Sequence, residues 1–342
     1  MTRYLILAEG YSADPHYGKT MHGVLRYRRD DVVAIVDSAR AAGETEGGVP
    51  VVATVDDALR FDPDTALVGV ATQGGRFPPA WLELLRSCIA HGLHIENGLH
   101  VFLADDPELR ELAVRHGVEL RDLRRPPADL STATGANLDV PGTIVLTVGS
   151  DCAIGKMTVA LELDLEARRR GLASIFVPTG QTGIAIAGWG IAVDAVVADF
   201  IAGAAERLVV EGAQRGGELL WVEGQGAILH PVYSGVTLGL FHGSVPHLLL
   251  LCHEAGRTEI EGAGGGPHPI PPLRELVELH ERLALPVRPA RVAAVALNTR
   301  ALGEAEARAA VAAVAEETGL PTDDPVRFGA GKLLAAFSVL DG

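Results

Sequence analysis

The run Gly149-Ser150-Asp151-Cys152-Ala153-Ile154-Gly155-Lys156-Met157-Thr158 has the residue types and the setting of a phosphate cradle. An apolar run, Thr143 to Val148, leads into it, and a helical pattern, Val159 to Arg170, follows it. Backbone N–H groups at the start of such a helix face an anion, and a lysine neutralises it. The spacing departs from GxxxxGK[ST] in two ways. One more residue separates Gly149 from Gly155, and Met157 stands where a magnesium-binding hydroxyl is usual. Thr158 offers a hydroxyl one residue later. Gly149, Ser150, Asp151, Cys152, Gly155, Lys156, Met157 and Thr158 are therefore the expected cofactor-binding residues.

Other polar residues follow apolar runs in the same half. Leu219 to Val222 ends in Glu223-Gly224-Gln225-Gly226. An acid at the carboxyl end of a strand beside a P-loop lies near the metal or the attacked group, because ligands gather at that edge. Val292 to Leu297 ends in Asn298, whose amide either reads a nucleobase edge or makes a local turn bond. Ala173 to Val177 leads to Pro178-Thr179-Gly180-Gln181-Thr182-Gly183. That loop offers hydroxyl and amide donors to a substrate anion from Thr179, Gln181 and Thr182, or it is a tight connection in which glycines serve geometry alone. Two polar, glycine-punctuated stretches, His230 to Gly235 and His242 to Ser244, read as loops near the same edge. Histidine is the natural proton carrier near neutral pH, and His230 and His253 join Glu223 as candidate bases. Arg257 has the geometry to clamp a carboxylate. No GxSxG elbow, HxxxH pair or clustered Cys/His spacing occurs, so neither serine hydrolysis nor a metal centre is legible.

These residues need a scaffold. Compact apolar runs alternate with helical patterns along the whole chain, which indicates parallel sheets covered on both faces. In the first half the runs are Tyr4 to Ala8, Val32 to Val36 and Ala66 to Ala71, the last followed by Gly74-Gly75. Trp81 to Ala90 is helical in spacing. The turn-rich stretch Leu123 to Ala136 marks a boundary. The expected fold is α/β with two domains: residues 1–130 as a Rossmann-like parallel sheet and 131–342 as a P-loop NTPase-like parallel sheet. Gly10 to Thr20 ends like a P-loop but is too long for one phosphate nest. No GxGxxG follows the first strand, so a nicotinamide dinucleotide has little support despite Asp37 at the end of the second. Gly262 to Pro272 reads as a mobile loop, and Glu304 to Glu317 as a covering helix.

Composition narrows the function. The chain has 342 residues and a net charge of -15, so it lacks the surplus of Lys and Arg that nucleic acid or an anionic membrane requires. Aromatic residues make up 5%, too few for a base-stacking platform. Cys88, Cys152 and Cys252 are sparse and widely separated, which is not a disulfide framework or a zinc motif. With no signal-like N-terminus or apolar span, a cytoplasmic enzyme acting on a small molecule is expected, and a homo-oligomer is the base-rate expectation.

The run from Gly149 to Glu162, the loop from Thr179 to Gly183, Gly188-Trp189-Gly190, Val222 to Gly226 and His230-Pro231 resemble one family over nearly the whole chain. It is the long-uncharacterised family with an N-terminal Rossmann-like domain and a C-terminal P-loop domain. A member of it is a D-glutamate N-acetyltransferase that uses acetyl-CoA. The resemblance implies an N-acetyltransferase with acetyl-CoA on the P-loop and a D-glutamate-like amine as acceptor. The second half is also similar, more distantly, to dethiobiotin synthetase, whose motifs match Gly149, Asp151, Gly155, Lys156, Glu223 and Asn298. That likeness implies an alternative, an ATP- and Mg²⁺-dependent ligase or kinase with Thr158 and Glu223 on the metal. Met157 departs from its pattern.

Overall fold

The computed structural model describes residues 2–14, 17–40, 43–71, 81–262 and 264–337. Gly74 and Gly75 lie outside them. The chain divides into two compact units, Met1–Pro126 with Gly180–Ala195, and Pro127–Thr179 with Val196–Gly342. The sequence places one boundary near residue 130; the fold adds a second crossing, in which Gly180–Ala195 packs with the first unit.

The first unit holds β1 (Tyr4–Leu7), α1 (Lys19–Tyr27), β2 (Val32–Val36), β3 (Thr45–Glu46), β4 (Val49–Val52), α2 (Val55–Ala58), β5 (Thr65–Val68), α3 (Trp81–Ala90), β6 (His94–Asn97), α4 (Pro107–His116) and β7 (Leu120–Asp122). The sheet order is β3-β4-β2-β1-β5-β6-β7, with only β3 antiparallel among its pairings. Without β3, the strands stand in the doubly wound order 3-2-1-4-5-6. All four residues of β1 are buried, and alternate side chains serve opposite faces. Leu5 and Leu7 meet Trp81, Leu85 and Ile95; Ile6 meets Met21, Val24 and Ile35. Gly69 leaves room for β1 and α1 alike, because a Cβ there would lie 2.4 Å from Ile6 Cγ2 and 3.1 Å from Met21 Cβ.

The second unit holds β8 (Thr143–Gly149), α5 (Lys156–Arg169) and β9 (Ser174–Val177). Here the chain contributes α6 (Gln181–Ala187) to the first unit. The second unit continues with α7 (Ile201–Gln214), β10 (Leu219–Val222), α8 (Ser234–Ser244), β11 (Leu248–Glu254), α9 (Leu273–Arg282), β12 (Arg291–Asn298), α10 (Glu304–Thr318), β13 (Thr322–Asp323) and α11 (Gly331–Ala335). Its sheet is parallel throughout, in the order β13-β12-β11-β8-β10-β9. The central strand β8 therefore delivers its following loop between the ends of β10 and β11.

Two local expectations change. Gln181 and Thr182 are helical, since Ile184 and Ala185 bury in the Ile6 face and Gly188, at φ 77°, ends the helix. His242 to Ser244 is the last turn of α8, where Leu240 and Phe241 are buried and Val245 turns left-handed. The stretch around Gly262 to Pro272 is tied across its base: Ile260 N–H bonds His268 O at 2.9 Å and Ile270 N–H bonds Thr258 O at 2.8 Å. No helix of the described residues is long and apolar enough to cross a membrane.

His247 ties the start of β8 to the segment entering β11. Its Nδ1 accepts from Ile144 N–H at 3.0 Å, and its backbone N–H donates to Ile144 O at 2.8 Å. Burial, with Arg288 adding to it, pushes its pKa from 6.5 down to about 4. The unfolded chain therefore takes up this proton first as pH falls, so the contribution is complete above pH 6.5 and is lost towards pH 4. Thermal melting across that interval should show the loss in the wild type. His247→Gln, which keeps an acceptor but does not titrate, should flatten it.

Candidate anion-binding site

Apart from Gln181 and Thr182, the residues singled out by sequence lie in or after β8, β9, β10, β11 and β12 of the second sheet. Thr147 sets the spacing of the central two strands. Its Oγ1 donates to Val222 O at 3.3 Å and accepts from Gly224 N–H at 2.8 Å. A Cβ at Gly224 would fall 1.7 Å from Thr147 O, so only glycine lets β10 leave the sheet at this point. Glu223, just before it, is buried, and one carboxylate oxygen accepts from Thr179 N–H at 2.9 Å. Thr179 Oγ1 donates to Glu223 O at 2.6 Å and accepts from Gln225 Nε2 at 3.2 Å.

The loop after β8 is wound tightly. Ala153 has φ 54° and Gly155 has φ 111°, which turns the chain abruptly into α5. Ser150 N–H is held by Cys252 O at 3.1 Å. No side chain caps α5, so the first-turn amides of Lys156, Met157 and Thr158 have no partner within the helix and point out of its positive end. Lys156 is buried, and its Nζ donates to Asp151 O at 2.7 Å, inside the loop. Burial depresses its pKa; the surrounding Cys152, Cys252, Asp151 and Glu223 work the other way. An anion at this point would favour the charged form that burial opposes.

Asp151 is the knot of the loop. Its side chain is fully buried. One oxygen accepts from Cys152 N–H at 2.6 Å; the other accepts from Arg257 Nη1 at 2.8 Å and from Glu261 N–H at 2.9 Å. Arg257 also pairs with Glu254, with Glu261 at 3.2 Å, and with Cys152 O at 3.4 Å. The arginine expected to clamp a substrate carboxylate is thus enclosed by three carboxylates of its own chain. Ser150 Oγ and His253 Nδ1 are 2.8 Å apart, both buried. Burial lowers the pKa of His253, which keeps it neutral near pH 7. His230 accepts from Val232 N–H at Nδ1 and faces Glu261 O through Nε2, with the Tyr233 ring against it. Asn298 makes the local turn bond, from Arg300 N–H at 3.1 Å, and its Nδ2 lies 3.3 Å from Ile154 O.

Gln181 and Thr182 are committed within the first unit. Gln181 Oε1 accepts from Arg124 at 2.8 Å, and Thr182 shares a 2.8 Å hydrogen bond with Thr20. In that unit the loop after β1 closes on its own acid. Asp37 accepts from Gly10 N–H at 2.9 Å, Ser12 N–H at 3.0 Å, Ala39 N–H at 3.0 Å and the Ser12 hydroxyl. Burial opposes its ionised form, but these bonds prevail and hold its pKa below the usual carboxylate range.

Residues 131–334 match the model of a domain of unknown function described as the DUF1611 P-loop domain, and residues 36–126 match the DUF1611 Rossmann-like domain. The chain belongs to the DUF1611 family. A D-glutamate N-acetyltransferase of Tritonibacter scottomollicae is 36% identical over 340 residues, 99% of each chain. One from a Pseudoalteromonas species is 34% identical over 283 residues, 82% of this chain and 83% of that one. The crystal structure of a DUF1611 family protein from Anabaena variabilis matches with a TM-score of 0.91 at 40% identity, covering 99% of this chain and all of that one.

What sequence reasoning missed in this DUF1611 chain is the carboxylate–guanidinium knot. Asp151 and Arg257 were assigned separately to cofactor and substrate, yet they bind each other across 106 positions. Their opposite charges were the available signal; nothing in their spacing paired them. Arg257→Ala would leave Asp151 buried without its counter-charge, a loss of about 3–5 kcal/mol for a pair of this kind. A chemical-denaturation midpoint well below wild type should show it, with Arg257→Lys in between.

Proposed function

We infer that the chain transfers an acetyl group from acetyl-CoA to the amine of an acidic amino acid of the D-glutamate kind, with the β8–α5 loop seating the cofactor's phosphates. The observation that supports it most is the uncapped start of α5 with Lys156 buried inside the loop, at the centre of the sheet edge. The reaction class rests on the names of the two relatives. The donor set suits a polyanion: three outward amides and one ammonium, with Arg257 already neutralised. A phosphate would take over the bond that Lys156 now gives to Asp151 O.

The reaction balances simply. The amine nitrogen attacks the thioester carbonyl, the C–N bond forms, and the C–S bond breaks. The electron pair leaves on the CoA sulfur, and a base relays the amine's proton to it. In CoA the diphosphate and the thioester stand at opposite ends of the pantetheine arm. Groups bonded inside the loop therefore act on the phosphate end, and the Ser150–His253 pair is one of them. Glu223 belongs there too, through its bond to Thr179.

Calorimetry should give acetyl-CoA and CoA comparable affinities, each weakened at least about tenfold in Lys156→Ala, the loss of one charge-assisted contact. Binding that ignores Lys156 would overturn the seat. In steady-state assays His253→Gln should raise KM for acetyl-CoA while kcat holds. A fall in kcat alone would make His253 the base instead. Transfer should proceed without added Mg²⁺. A strict requirement for ATP and Mg²⁺ would replace this reading with a ligase whose metal sits on Thr158 and Glu223.

A further inference from the structure

Asp151, Cys152 and His230 come from two loops, and one donor atom from each lies within 4.8 Å of the others. Asp151 and His230 are almost fully buried, and Cys152 is partly so. None of the three residues was expected to meet a metal, because the histidine is far along the chain from the other two.

The arrangement around them is that of oriented ligands. His230 Nδ1 accepts from Val232 N–H at 3.1 Å, so the ring proton sits on Nε2 and donates to Glu261 O at 3.2 Å. A metal-binding imidazole characteristically gives its second N–H to a backbone carbonyl, which fixes ring and tautomer. The same residue fixes the carboxylate, since Glu261 N–H donates to Asp151 Oδ2 at 2.9 Å. Arg257 holds that oxygen as well. Oδ1 takes only Cys152 N–H at 2.6 Å, which leaves it a lone pair. The backbone N–H and C=O of Glu261 thus hold two of the three side chains. The other cysteines are not comparable: burial pushes both Cys88 and Cys252 up to about 12.

We propose that Asp151, Cys152 and His230 form a zinc-class metal site beside the anion seat, with His230 binding through Nδ1. A thiolate with an imidazole and a carboxylate favours zinc over magnesium or calcium. Ligand atoms around tetrahedral zinc stand about 3–4 Å apart. Closing the cluster therefore asks for a shift of about an ångström, with Nδ1 exchanging the Val232 N–H for the metal. Binding releases the thiol proton to solvent, and the thiolate supplies negative charge beside Asp151, whose own charge is shared with Arg257. Three protein ligands leave the fourth position for water or a ligand oxygen, as in catalytic rather than structural zinc sites.

Cobalt(II) reports the thiolate directly. The full-length protein, stripped of metal, should bind one equivalent of Co²⁺ and develop a near-ultraviolet thiolate-to-cobalt band, which Zn²⁺ then abolishes by displacement. Cys152→Ser, a one-atom change, should lose the band while its circular dichroism and melting curve stay as in the wild type. His230→Gln should weaken Co²⁺ binding at least about tenfold. Absence of a band, a band that survives in Cys152→Ser, or binding without thiolate character would each overturn the site.

Discussion

A buried carboxylate that must be neutralised governs the second unit's working edge. Asp151 sits with no solvent, and Arg257, Glu261 N–H and Cys152 N–H converge on it. Its carbonyl meanwhile takes the Lys156 ammonium. One residue thus fixes the loop's inner wall, the lysine's resting place and the segment after β11. A large change in the loop's shape would expose or strand a charge, so these bonds resist it.

The sheet order explains why this knot lies where it does. With β8 between β10 and β11, the loop it feeds is flanked by Glu223 on one side and His253 to Arg257 on the other. Parallel strands place all these turns at the same end, and the crossover helices keep the faces dry. Gly224 is the tolerance that permits it, since any side chain there would run into Thr147 O. The chemistry of the edge is therefore inherited from strand order and from one backbone contact.

Much of this was legible. The strand, loop and helix around Lys156 follow from an apolar run, glycines and a helical period, and Glu223 follows from its place at a strand end. The parts that were not legible are those made by distant partners. Arg257 reads as a free clamp until Asp151 and Glu254 are seen around it. Gln181 and Thr182 read as loop donors because small polar residues hide the helix that Ile184 and Ala185 anchor. Cys152 and His230 meet through two loops whose positions depend on the whole sheet.

The two units also show how similar architectures diverge in use. In the first, Asp37 takes the amides of Gly10, Ser12 and Ala39, so an internal carboxylate fills the place where an anion would dock after β1. The same acid, at the end of β2, is where a dinucleotide's ribose would be read, and it is already spent. In the second unit the internal carboxylate is turned away and neutralised by Arg257, and the helix start is left uncapped. The two loops thus differ in which way one aspartate faces. The loop after β1 spends three amides on its own acid, whereas the acid of the loop after β8 is bound by an arginine and by the amides of Cys152 and Glu261.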